Sequence, residues 1–207
     1  MARTVGSNGV RTEEAIRKAA TRLIARHGYE ATTLRMLSQA VGIQSAAVYR
    51  YFASKQDMLR DLMVQHMSHL LESWEKARPA SSDPLQQLVG FVHFHVEYHM
   101  DRPDEVFLSY MELRSLEPES YRVIVDLRRR YELILRDILD RGAKAGQFHV
   151  ADVKVATMAI IAMLTGINVW YRARGRLSRR RIVEIYTRLV LDSVEADQSA
   201  LRQSGAA

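Results

Sequence analysis

Thr32-Thr33-Leu34-Arg35-Met36-Leu37-Ser38-Gln39-Ala40-Val41-Gly42-Ile43-Gln44-Ser45-Ala46-Ala47-Val48-Tyr49-Arg50-Tyr51-Phe52, residues 32 to 52, decides the fold. It reads as two short helices around a tight turn, and Ser54-Lys55-Gln56-Asp57-Met58-Leu59 opens a third. The Thr33 hydroxyl suits the cap of a helix from Leu34 to Ala40, and Gly42 accepts the positive φ that the turn requires. Gln44 or Ser45 then starts a second helix, reaching Tyr51, whose inward face is Val48 and Phe52. This is a helix-turn-helix. The second helix of such a unit lies in the DNA major groove, so its outer side must be small near the bases and carry donors for phosphates. Ala46, Ala47, Tyr49 and Arg50 meet both needs.

Charge supports the same assignment. Residues 1 to 60 hold ten Lys or Arg against four Asp or Glu, so the whole net charge of +6 sits in this segment. The remaining 147 residues hold 20 of each sign. A basic excess that coincides with a helix-turn-helix is what phosphate neutralisation requires. The 207 residues allow one domain or two small ones. No cysteine is present, which excludes disulfides, thiolate nucleophiles and Cys-based zinc sites and fits a reducing, cytoplasmic setting. The first residues lack the apolar centre of a signal peptide and suggest a polar arm over 1 to 11. The longest apolar run, 155 to 171, has 17 residues including Thr157, Thr165, Gly166 and Asn168. That falls short of the roughly 20 residues a bilayer crossing needs, so no membrane partner is expected and the run reads as a fully buried helix.

In order, Thr12 and the acidic Glu13-Glu14 suggest a first helix to His27, stopped by Gly28, with Ile16, Ala20, Leu23 and Ile24 facing Leu34, Leu37, Val48 and Phe52. Ser54 and Asp57 resemble a capping pair for a long helix through Met58, Leu62, Met67, Leu70 and Trp74. Pro79-Ala80-Ser81-Ser82-Asp83-Pro84 breaks the chain. Helical periodicity returns over 85 to 100, 103 to 116 and 118 to 145, then over a buried helix capped by Asp152 and a last amphipathic one capped by Ser178. The expectation is an all-α chain of about nine helices: a DNA-binding head over 1 to 53 and a helical body over 54 to 207.

Thr32-Thr33, Val41-Gly42-Ile43, Val48-Tyr49-Arg50-Tyr51-Phe52 and Ser54-Lys55-Gln56-Asp57-Met58-Leu59 resemble the signature of the TetR family of bacterial transcriptional repressors. The family pattern usually has Ser and Gly where this chain has Gln44 and Ala46, which alters the surface facing DNA and leaves the operator sequence open. The resemblance implies that Thr33, Tyr49 and Lys55 touch phosphates while Arg35, Gln44, Ser45, Ala47 and Arg50 lie at the groove. It also implies a homodimer built from the last two helices, a near-palindromic double-stranded operator and a ligand pocket in the body. Asp101-Arg102-Pro103, the stretch from Gly142 to Phe148 and that from Trp170 to Ser178 look like the body of the branch that senses fatty or sterol-derived acyl-CoA thioesters.

Within the body, aromatic and Met side chains offer an adaptable apolar cavity. Phe91, Phe94, Tyr98 and Phe107 are candidates for it, with Tyr110, Met111, Tyr131 and Met163. Arg114 and Arg128 fall in phase with the apolar stripes of their helices, where a guanidinium needs either an internal carboxylate or a ligand anion. Trp170 and Arg174 complete the candidate ligand set, within an arginine-rich stretch that also holds Arg172, Arg176, Arg179, Arg180 and Arg181. The pairs His95/His99 and His66/His69 have spacings that could share a metal, yet no carboxylate completes a set, and core or pocket lining is preferred. No cofactor, metal site or catalytic residue is expected, and the chain is not read as an enzyme. The alternatives are a constitutive or architectural DNA-binding dimer without effector, or a sensor of other hydrophobic compounds. The 90 or so residues of aromatic-rich helix between head and last two helices exceed what a dimerisation stalk needs, and favour a sensor.

Overall fold

The computed structural model describes residues 7 to 196, and all regular elements among them are helical. They are α1 (Ser7–His27), α2 (Leu34–Val41), α3 (Ser45–Val48), α4 (Lys55–Ala77), α5 (Pro84–Asp101), α6 (Pro103–Met111), a 3-10 turn (Leu113–Ser115), α7 (Pro118–Lys144), α8 (Val153–Thr165), α9 (Ile167–Trp170) and α10 (Arg179–Ser193). Only Gly166 separates α8 from α9, and its N–H still reaches Ala162 O at 3.0 Å. Taken as one bent helix, the two give nine helices among the described residues.

The chain divides into two compact units, one built from the chain up to Ser68 with Pro103–Leu127, the other from His69–Arg102 and everything from Arg128 onward. The compact units thus add α6 and the start of α7 to the helix-turn-helix, a grouping different from the functional division expected at residue 53. Ile16, Ala20 and Ile24 of α1 close over Leu37, Val48, Phe52 and Met58, and Leu108, Leu116 and Ile124 join the same core. Polar contacts hold this second layer. The buried Glu112 carboxylate accepts the Tyr29 N–H at 3.0 Å and the Ser115 hydroxyl at 2.8 Å, while Gln56 donates to Ser115 O at 2.7 Å. In the second unit α5 is central, packed against α8, α9 and α10. Phe91, Val92 and Val96 of α5 are buried together with Trp74, Leu135, Leu164 and Val183 from other elements.

Several boundaries differ from the sequence expectations. The first helix starts at Ser7, so Thr12 lies inside it, and residues 1 to 6 of the expected arm lie outside the described residues. α6 ends at Met111 instead of running to 116, because the chain tightens into the 3-10 turn after Glu112. That turn breaks the helical phase, and Arg114 faces solvent where the periodic stripe implied burial. The apolar run is not fully buried either: Val155 is 64% exposed, Met158 50% and Val169 78%. Apolarity all round a helix specifies contact with other apolar groups, and one chain supplies only part of them.

Candidate DNA interface and sensor interior

The turn between α2 and α3 follows from three local interactions. The Thr33 hydroxyl accepts the Met36 N–H at 3.2 Å, Gly42 adopts φ 75°, and the Ser38 and Ser45 hydroxyls pair at 2.8 Å across the turn. Val48, fully buried, and Phe52 anchor the far side. α3 proper has only four residues where the sequence suggested 44 to 51, but the coil continues as turns, with Tyr51 and Phe52 N–H both reaching Val48 O. Thr33, Arg35, Gln44, Ser45, Tyr49 and Arg50 are exposed and Ala47 is half-buried. Among the described residues no hydrogen bond or ion pair occupies the Arg35 or Arg50 guanidinium. Small Ala46 and Ala47 beside free donors give a surface suited to close approach along a groove.

Lys55 is held in place. Its ammonium donates to Glu30 O at 3.2 Å and lies 4.1 Å from the Tyr29 ring centre. Burial, reinforced by the charges of Glu30, Glu117 and Glu112, pushes the Tyr29 phenol up to about 12, so the ring under Lys55 stays neutral. The Ser54 hydroxyl and the Asp57 carboxylate cap α4, with Asp57 N–H donating to Ser54 Oγ at 2.9 Å. Arg17 of α1 bridges Glu13 and Asp61 of α4, at 2.7 Å for the latter, and its own pKa is raised chiefly by the Asp61 hydrogen bond.

In the second unit, Trp74, Phe91, Phe94 and Tyr98 form a chain of tilted and edge-on rings 5.3 to 5.6 Å apart, and Tyr131 joins at 5.3 Å from Phe91. Of the candidate ligand residues in this unit, Phe91, Tyr98 and Tyr131 are buried, Phe94, Met163 and Arg128 are half-buried, and Arg174 is exposed. Trp170 is 51% exposed, stacked on Tyr186, with its indole N–H 3.3 Å from the Tyr186 hydroxyl. Phe107 is half-buried, and Tyr110, Met111 and Arg114 are exposed, all in the first unit.

Sequence reasoning missed a polar centre inside the aromatic cluster. His95, fully buried, has its Nδ1 3.2 Å from the Tyr131 hydroxyl and its Nε2 3.2 Å from the Thr165 hydroxyl. The His99 ring stacks on it at 3.8 Å, and His99 Nδ1 is 2.8 Å from His95 O. Burial, and then His99, holds the His95 pKa well below the ordinary histidine value, so the ring is neutral with one nitrogen donating and the other accepting. His66 and His69 have side-chain partners, Glu105 and Tyr98. The spacing of these histidines was visible in the sequence, but the hydroxyls that engage His95 lie 36 and 70 residues away.

A model of the bacterial regulatory proteins of the tetR family matches residues 16–62, and one of the tetracyclin repressor-like C-terminal domain matches 81–194. The HTH-type transcriptional repressor KstR2 of Mycobacterium tuberculosis is 26% identical over 197 residues, spanning 94% of this chain and 98% of the relative. A crystal structure of a tetR-family regulatory protein from Rhodococcus RHA1 superposes with a TM-score of 0.85 at 28% identity, over 90% of this chain and 98% of that one. AibR in complex with isovaleryl coenzyme A and operator DNA shares the fold, with a TM-score of 0.78 at 20% identity over 90% of this chain and 100% of that one. With both halves matched and the exposed helix-turn-helix in place, this chain belongs to the TetR family of DNA-binding transcriptional regulators, and it is not an enzyme.

Proposed function

We propose that the chain is a homodimeric cytoplasmic repressor that releases a near-palindromic operator on binding an acyl-CoA thioester. The observation that carries this reading is the neutral His95 held between two hydroxyls inside the aromatic cluster of the second unit. Such an interior suits an apolar chain or ring system bearing one carbonyl, since the rings accept the apolar part and reorientable hydroxyls answer the polar one. Phe91, Phe94, Tyr98, Tyr131 and Met163 take the apolar part, and Arg128, Trp170 or Arg174 the polar end. AibR, whose likeness is one of fold, is seen in complex with isovaleryl coenzyme A and operator DNA, which supports the ligand class. On the DNA side, Thr33, Tyr49 and Lys55 contact phosphates, and Arg35, Gln44, Ser45, Ala47 and Arg50 face the groove.

The dimer reading rests on the outward apolar side of α8 and α9, where Val155, Met158 and Val169 lie exposed, and on Leu189 of α10, 47% exposed. Apolar groups in that number on adjacent elements of one unit favour a protein partner. Effector and operator communicate through α4, which places Met58 in the head core and Trp74 in the body core on one continuous helix. Calorimetry with free acids, CoA alone and acyl-CoAs of increasing size tests the ligand class on the wild type and on Arg128→Ala. Saturable binding of acyl-CoAs, weakened in Arg128→Ala, is expected. No heat with any thioester removes this ligand class, and unchanged affinity in Arg128→Ala removes that residue from the site.

A further inference from the structure

α10 presents Arg181, Glu184, Arg188 and Asp192 along one outward face, around Ile185 and Leu189, and these six side chains line a shallow depression. Spacings of three and four residues keep them on one side of the helix. Read from the N-terminus, the signs are plus, minus, plus, minus; read backwards, they are minus, plus, minus, plus. A second identical stripe laid antiparallel therefore sets each charge against its opposite, whereas a parallel one sets like against like. A two-fold axis perpendicular to the helix produces the antiparallel arrangement.

We propose that this stripe is a self-complementary code that fixes register and partner choice in the homodimer, with Arg181 meeting Asp192 of the partner subunit and Glu184 meeting the partner's Arg188. The residue numbers of the two pairs sum to 373 and 372, so one crossing point near Tyr186 serves both, and symmetry repeats each pair. Ile185 and Leu189 supply the apolar centre. Within one chain Arg181 already reaches Glu184 at 3.0 Å, with side chains 60% and 45% exposed. Exposed pairs of that kind contribute little alone, but covering them with a second copy removes water and makes a mismatch costly. The inference rests on the dimer reading above and adds the determinant of who pairs with whom.

The test uses three variants of the full chain. Arg181→Glu with Arg188→Glu makes the stripe wholly acidic, and Glu184→Arg with Asp192→Arg makes it wholly basic. Glu184→Arg with Arg188→Glu reverses the inner charges yet leaves the stripe self-complementary. Sedimentation velocity and native mass spectrometry should show the acidic and basic variants self-associating at least about tenfold more weakly than wild type, and a 1:1 heterodimer when they are mixed. The reversed variant should dimerise within about threefold of wild type, which guards against loss through misfolding. Acidic or basic variants that homodimerise like wild type, a mixture that forms no heterodimer, or a reversed variant that fails to dimerise would each overturn the code. A wild-type chain that is monomeric at micromolar concentration overturns the dimer reading itself.

Discussion

Lys55, Arg50 and His95 make separable predictions, because each is fixed by a different environment. Lys55 sits over a neutral Tyr29 and is tied to Glu30 O, so its ammonium is pre-positioned at the start of α4. Lys55→Ala should weaken binding to all DNA sequences alike and reduce the slope of log affinity against log salt by about one. Substitutions of Arg50 and Gln44, both exposed and proposed to face the groove, should alter base preference instead, at about 1 to 3 kcal/mol for the preferred site, read by competition with base-substituted duplexes. A shifted base preference with unchanged salt slope in Lys55→Ala would reverse these roles. His95 has a folded pKa depressed below its ordinary 6.5 by burial and by His99. Above about pH 6.5 the ring is neutral folded or unfolded and costs nothing; below it the unfolded chain takes up the proton and the folded one does not. Stability should therefore fall as the pH drops below about 6.5, and His95→Gln should flatten that part of the profile in urea titrations at pH 7.5 and 5.5.

At the scale of elements, the join between α7 and α8 depends on a glycine for want of space. A Cβ at Gly142 would lie 2.0 Å from the Phe148 ring, and Gln147 N–H and Phe148 N–H both turn back to Gly142 O. Gly142→Ala should cost about 1 to 3 kcal/mol by forcing Phe148 out of its buried site, measured as a lower denaturation midpoint. Ser54→Ala, which removes the α4 cap, should cost about 1 kcal/mol. Both the cap and the turn at Gly42 were legible in the sequence, because each rests on neighbours three or four residues apart. The end of α6 was not: it is set by Glu112 bonding to Tyr29, 83 residues away, and no local pattern announces that bond. The exposed face of α8 and α9 escaped for a related reason. Periodicity identifies which residues avoid water, whereas the surface that covers them can belong to another molecule. The outward residues of the helix-turn-helix were readable as a set, but the neutral His95 centre was not, since Thr165 and Tyr131 meet it only through tertiary packing.

For the whole molecule, α4 and the chain passing back into the first unit at Pro103 both connect a basic head to an aromatic interior. A symmetric dimer should place its two recognition segments about one DNA turn apart, roughly 34 to 36 Å, and footprinting should protect two half-sites related by a dyad. Protection of a single half-site would contradict that arrangement. An effector acts on DNA only through its preference for one spacing of the heads, and a coupling of about 1 to 3 kcal/mol corresponds to roughly five- to 150-fold in operator affinity. The most direct test is fluorescence anisotropy on a near-palindromic duplex that the protein itself selects from a random library, titrated at fixed salt with and without saturating acyl-CoA. Operator affinity should fall at least about fivefold with a thioester that calorimetry shows to bind, and not with CoA alone. Equal operator affinity in the presence and absence of a bound thioester would contradict the claim that this repressor is released by its ligand.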